Sequence, residues 1–277
     1  MGLYRAMDRP ALDAAYNNSA AVIDSEDLLA DWQDRSAALR ARMSTYLDIA
    51  YADKETTRLD FFSCGRSAAP TLVFFHGGYW QRNSKEGFAF VAEGPLACGF
   101  HVAVVGYTLA PYARLDTIVG EARTALRWLT AEIKDLGGNP AQLFVSGWSA
   151  GGHLAAMMMN EAAVQGGITI SGLYDLEPIR LSYLNDKLRL DQEEARRNSP
   201  LLHPPAQAGK LVVAFGAQEL PELKRQSADF AAVWREHGLP CELCELPSCH
   251  HYAALEELAR PQGMLTRALD KIARPVG

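Results

Sequence analysis

The chain is short of three things: cysteine, long apolar runs and positive charge. Its five cysteines are an odd number among 277 residues. A chain of this size folds without covalent staples, so a disulfide framework is excluded. Reduced thiols in a cytoplasmic protein are the expectation. No apolar stretch approaches the roughly 18 residues of a membrane span, so no membrane partner is expected. Met1–Ala6 lacks a basic segment followed by an apolar core, and no secretory leader is expected. Lys plus Arg number 27 against 33 Asp plus Glu, a net charge of −6. That disfavours nucleic acid as a partner. Gly (22) and Pro (14) are too few for a collagen-like or low-complexity chain. Hydrophobic residues at 48% and charged residues at 22% are ordinary values, which rules out disorder as the main state.

What is present is alternation. At about 150 residues per domain the length corresponds to roughly 1.8 domains. Apolar runs at Leu59–Phe62, Thr71–Phe75, His101–Val105, Gln142–Ser146, Ile168–Ile170, Leu211–Phe215 and Cys241–Leu246 read as strands. Helical stretches alternate with them at Leu115–Asp135, Ala150–Ala163, Leu223–Glu236 and Met264–Ala273. Near-continuous apolar strands, each followed by a helix, imply a mostly parallel sheet buried on both faces. The first 50 residues read as helical at Asp13–Tyr16 and Asp24–Tyr51, with Leu28, Leu29, Trp32, Leu39 and Met43 at helical spacings. No linker rich in Pro, Gly or Ser interrupts the pattern. The expectation is an α/β fold in one domain over 1–277, with a helical arm at 1–55 and a catalytic core at 56–277.

Gly147-Trp148-Ser149-Ala150-Gly151 is a G-x-S-x-G motif between an expected strand and an expected helix. A tight strand-to-helix turn leaves room only for small flanking residues and lifts the serine hydroxyl above the sheet edge. The helix start presents unpaired N–H groups to a developing oxyanion. His76-Gly77-Gly78-Tyr79-Trp80 follows another strand, where glycines let backbone N–H groups approach a ligand. Gly78, Tyr79 and Ala150 are therefore the candidate oxyanion donors. Ser149 needs a base, and the base needs an orienting acid. In this architecture the chain order is nucleophile, acid, histidine. Glu219 is the first carboxylate after Leu211–Phe215, with Glu222 as close rival and Asp175 as a further alternative. His250 or His251, after Cys241–Leu246, supplies the base. His153, His203 and His237 lie outside such strand ends and read as packing or solvent-facing.

These residues resemble the α/β-hydrolase superfamily, and within it kynurenine formamidase (arylformamidase) and related small carboxylesterases. The HGG-x-W box is similar to that family's oxyanion loop. Further matches are Tyr107–Pro111, Gly147–His153, Ser171–Leu176, Arg225–Ser227 and the early Tyr16-Asn17. The resemblance implies an α/β-hydrolase fold with a central sheet of about eight strands and helices on both faces. It implies Ser149 as nucleophile and His251, followed by an aromatic residue, as base. Glu219 stands where the family usually has Asp, and Trp148 where it often has His. The implied activity is acyl-enzyme hydrolysis of an N-formyl aryl amide such as N-formylkynurenine, with small carboxyl esters as the alternative. No cofactor is called for. A non-catalytic binding protein of the same fold is the reading from another class.

Cys241-x-x-Cys244 with Cys249, His250 and His251 suggests zinc on composition alone. An offset of three along a strand, however, puts the two sulfurs on opposite faces, so no metal is expected. Cys64 and Cys98 read as buried small apolar residues. Ala156–Met159 reads as core. Tyr79, Trp80, Tyr107, Tyr112, Trp148 and Tyr252 flank the motifs, and Trp80, Trp148 and Tyr252 are the candidate substrate-binding aromatics. Asp186–Arg197 reads as a solvated helix or lid edge. A homodimer is the generic expectation for a soluble enzyme.

Overall fold

The computed structural model describes residues 2–274. Its strands are β1 (Ile49–Ala50), β2 (Arg58–Phe62), β3 (Ala69–Phe75), β4 (His101–Val105), β5 (Gly138–Trp148), β6 (Val164–Ile170), β7 (Lys210–Gly216) and β8 (Cys241–Leu246). They form one sheet in the order β1-β2-β4-β3-β5-β6-β7-β8. Strand β2 pairs antiparallel with β1 and β4, and the rest are parallel. This is the expected eight-stranded α/β-hydrolase sheet.

The apolar strands feed two cores. Val73, Phe75, Ala103, Val105, Leu211 and Val213 face one side. Leu72, Phe74, Val102, Val104, Val212 and Ala214 face the other. Successive side chains alternate across a strand, so an unbroken apolar run supplies both faces at once. Cys241 packs on the first core and Cys244 on the second, as the odd offset requires.

Three helices build the N-terminal arm: α1 (Arg9–Ala15), α2 (Asn18–Ala21) and α3 (Ser25–Arg42). Then come α4 (Glu93–Ala97), α5 (Leu115–Glu132), α6 (Ala150–Met158), α7 (Glu177–Leu181), α8 (Asn185–Leu188) and α9 (Gln192–Arg197). The last are α10 (Pro221–Glu236), α11 (Ala253–Ala259) and α12 (Met264–Ala273). The first face carries α5, α6 and α10; the second carries α3, α11 and α12. None of the described helices is long and apolar enough to cross a membrane.

The helix expected over Asp24–Tyr51 stops at Arg42. Asp48 turns the chain with a left-handed φ of 56°, and Asp60 Oδ1 accepts its N–H at 2.9 Å. Ile49 and Ala50 then pair with Leu59 and Arg58. Sheet pairing overrides the helical spacing there. Helix α6 ends at Met158, short of Ala163, and Met157–Met159 are buried as core. Cys64 and Cys98 are half-buried, not buried, because one follows the end of β2 and the other ends α4. The Asp186–Arg197 stretch is not wholly solvated. Glu194 is buried and accepts hydrogen bonds from Arg114 and from the Asp116 N–H.

The arm is strapped to the body. Trp32 of α3 stacks on Phe90 with centroids 4.9 Å apart and meets Trp148 edge-on at 5.5 Å. Its Nε1 donates to Glu256 at 2.6 Å. Arg35 reaches Glu256 at 2.9 Å and Glu93 at 3.0 Å. Asn17 caps α2 by accepting the Ala20 N–H at 3.2 Å, so Asn18 is fixed in the first turn.

Candidate active site

Ser149 sits between β5 and α6 at φ 57° and ψ −118°. A non-glycine residue with positive φ costs on the order of 1–3 kcal/mol and persists only where its surroundings enforce it. Close packing enforces it here. A Cβ on Gly147 would lie 2.1 Å from Gly151 O, and one on Gly151 would lie 1.9 Å from Phe75 O. The Ser149 N–H is committed to Ile170 O at 2.8 Å. The Ala150 N–H opens α6, where the helix itself provides no acceptor.

The loop after β3 shapes the opposite wall. Gly78 adopts φ +120°, Tyr79 52° and Trp80 57°. A Cβ on Gly77 would strike the Trp148 ring at 2.5 Å. The loop therefore packs directly against the nucleophile turn. His76 is buried beneath it, stacked on Tyr107 with centroids 4.3 Å apart. Burial lowers its pKa to about 4, so it is a neutral structural imidazole.

The three candidate acids differ in what they touch. Glu219 Oε2 lies 3.1 Å from His251 Nδ1. Its Oε1 accepts from the Gly216 N–H at 2.7 Å and from the Ser171 hydroxyl. Glu222 instead accepts from the Tyr16 phenol at 3.0 Å and pairs with Arg225. Asp175 accepts from the Tyr4 phenol at 2.8 Å and from the Glu177 N–H. The two candidate bases differ as well. His250 accepts the Ala253 N–H in a turn, whereas His251 lines one pocket with Ser149. No Ser149–His251 hydrogen bond is formed among the described residues. Such bonds are often long in a free enzyme and tighten with substrate.

That pocket is a narrow, partly open cleft of about 40 Å³. Gly78, Tyr79, Trp148, Ser149, His251 and Tyr252 line it. Trp80 does not. It is fully buried and meets His153 edge-on at 4.9 Å, because its left-handed φ turns the indole into the core. His153 is a packing residue, as expected. Its Nε2 lies 2.7 Å from Asn198 O, and burial lowers its pKa to about 4. Tyr107 serves as the partner of His76, and Tyr112 is exposed. Trp148 donates from Nε1 to His251 O at 2.8 Å, which anchors the base loop.

Composition and spacing did not single out Asn18 and Ser19. Asn18 Nδ2 lies 3.0 Å from the Tyr79 phenol and 3.4 Å from His251 Nε2. Ser19 Oγ lies 3.2 Å from the Tyr252 phenol. The signal available was their position directly after the Tyr16-Asn17 pair. Ser171, in another of the quoted matches, donates its hydroxyl to Glu219.

Comparison with known proteins identifies the family. Residues 72–263 match a family described as having the alpha/beta hydrolase fold. A kynurenine formamidase of Danio rerio is 30% identical over 255 residues, covering 86% of each chain. The esterase LipQ of Mycobacterium tuberculosis is 25% identical over 210 residues, 66% of this chain and 50% of its own. The crystal structure of a protein from Silicibacter sp. tm1040 is 27% identical with a TM-score of 0.84, covering 93% of this chain and 98% of that one. The chain thus belongs to the α/β-hydrolase family, and it is a hydrolase whose relatives include kynurenine formamidases and esterases.

Proposed function

We propose that this hydrolase cleaves small N-formyl aryl amides through a formyl-enzyme, with Ser149, His251 and Glu219 as its triad. The observation that carries the reading is the placement of His251. Its Nδ1 rests on the buried Glu219 carboxylate, and its ring lines the pocket that also holds Ser149. His251 Nε2 takes the Ser149 proton as Oγ bonds to the carbonyl carbon. The N–H groups of Gly78, Tyr79 and Ala150 hold the resulting oxyanion, each donor contributing about 3–4 kcal/mol. The C–N bond then breaks, and the imidazolium gives its proton to the departing nitrogen. Water, deprotonated by His251, attacks the formyl carbon, and the serine leaves with the returned proton.

The narrow cleft beside Ser149 suits a small acyl group such as formyl or acetyl, leaving the aryl portion toward Trp148 and Tyr252. The formamidase relative supports the amide. Small carboxyl esters are the second reading, supported by the esterase relative and by machinery that serves both bonds. We place the enzyme in a reducing compartment, a reading supported by its five unpaired thiols.

Two measurements test this. A fluorophosphonate probe is expected to label the protein and not its Ser149→Ala variant; equal labelling, or none, overturns the serine mechanism. The ratio of kcat/KM for N-formylkynurenine to that for p-nitrophenyl acetate and butyrate tests the substrate class. A formamide value thousands of times below the ester values, on the order of 5 kcal/mol in barrier, would assign the enzyme to esters.

A further inference from the structure

Asn18 belongs to the arm, far in sequence from Ser149 and His251, yet it lines the active-site pocket. The orientation of its amide is fixed by its neighbour. The Tyr79 phenol gives its one proton to Tyr16 O at 2.5 Å. Only a donor can then face the phenol oxygen, and Asn18 Nδ2 lies there at 3.0 Å. The other amide atom, Oδ1, is buried and has no partner among the described residues. A buried carbonyl left unpaired is unusual in a native structure and calls for a partner. The second neighbour of Nδ2 is His251 Nε2 at 3.4 Å. That nitrogen hands a proton to the leaving atom, so the leaving atom must come within hydrogen-bond reach of it. Asn18 therefore stands beside the place where the leaving group departs.

We propose that Asn18 is a substrate-binding residue whose Oδ1 accepts the N–H of the scissile amide and so selects secondary amides over substrates that lack this proton. The assignment rests on reading the site as an amidase. It gives the arm a part in specificity. An ester or a tertiary amide fills the same space but leaves Oδ1 buried and unpaired, and such a mismatch discriminates strongly.

The test uses formanilide and N-methylformanilide, which differ in the N–H, as competitors of p-nitrophenyl acetate hydrolysis. Wild-type inhibition constants are expected to favour formanilide by about tenfold or more. In the near-isosteric Asn18→Leu, and in Asn18→Ala should that variant fold better, the ratio is expected to fall to within about twofold. General damage to the site cancels in the ratio. The proposal is overturned if the wild type shows no preference, or if the preference survives in Asn18→Leu and Asn18→Ala. A fall in activity with an unchanged ratio would reduce Asn18 to support for Tyr79 and also overturns it. Release of formate, followed separately, distinguishes the two readings. Asn18-dependent binding without formate release keeps this assignment and removes the amidase reading. Formate release with no Asn18-dependent preference does the reverse.

Discussion

The Glu219 carboxylate meets His251 Nδ1 at 3.1 Å while its other oxygen is held by the Gly216 N–H and the Ser171 hydroxyl. Both oxygens are thus engaged, and the carboxylate cannot swing away from the imidazole. An acid so placed fixes the tautomer that leaves Nε2 free to take a proton. Glu219→Gln keeps the shape but presents the wrong hydrogen-bonding group, and kcat is expected to drop roughly 10³- to 10⁴-fold. Glu222→Gln and Asp175→Asn disturb contacts to Tyr16 and Tyr4 instead, and kcat is expected to stay within about fivefold. Steady-state kinetics on p-nitrophenyl acetate compare all three; a larger loss in either control would move the acid.

His250 and His251 are adjacent but differently employed. His251→Ala is expected to lower kcat by on the order of 10⁴-fold or more, because no base then remains for Ser149. His250→Ala loses only an acceptor for the Ala253 N–H and is expected to retain most turnover. The opposite ranking would exchange their roles.

The turn that carries Ser149 is fixed by close packing. Gly151→Ala would bring a methyl group to 1.9 Å from Phe75 O, a backbone atom that cannot rotate aside. The sheet or helix must shift, at a cost of about 3 kcal/mol or more. Urea unfolding is expected to show a lower midpoint with an unchanged slope, and activity is expected to fall with it. Gly120→Ala, on α5 with open space around the added carbon, serves as the control.

Much of this was legible because the relevant physics is local. Val73, Phe75, Leu72 and Phe74 alternate over two cores, so an unbroken apolar run announces a strand buried on both sides. Gly147 and Gly151 announce close backbone approach by lacking a Cβ. Other features depend on contacts distant in sequence. That Glu219, and not Glu222 or Asp175, lies against His251 depends on where the loop carrying His251 comes to rest. Trp80 looked like a pocket wall because it adjoins the glycines, yet its backbone turn sends the ring to His153. Strand β1 was hidden inside a helical pattern because its only reason to exist is the edge of β2. Asn18 had only its place after the Tyr16-Asn17 match to mark it; the docking of the arm is what brings it to His251.

Trp32 is the arm's main anchor, fully buried among Phe90, Trp148 and Tyr252. Trp32→Ala is expected to cost about 3–5 kcal/mol from the lost burial and the cavity left behind. It also removes the edge contact on Trp148, the residue that anchors the His251 carbonyl. Activity per folded molecule is therefore expected to fall as well. Stability and kcat/KM measured at the same temperature separate the effects; a variant with lowered stability and wild-type kcat/KM would confine Trp32 to packing.

Two of the buried imidazoles, His76 and His153, contribute to the acid limit of the fold. Burial lowers the pKa of both His76 and His153 to about 4, against 6.5 for an unhindered histidine. Between those values the unfolded chain binds protons that the folded chain refuses, so stability rises with pH across that window. It is fully present above pH 6.5 and is lost as pH falls toward 4. Each group contributes on the order of 3 kcal/mol over the interval. Near pH 5 the slope is expected to approach two protons for these residues. His153→Gln removes one titrating group, so its slope is expected to fall by about one proton relative to the wild type, even if its stability at pH 7 is lower. Urea unfolding from pH 7 to pH 4 provides the measurement. An identical slope in His153→Gln would mean that His153 is not held neutral by burial.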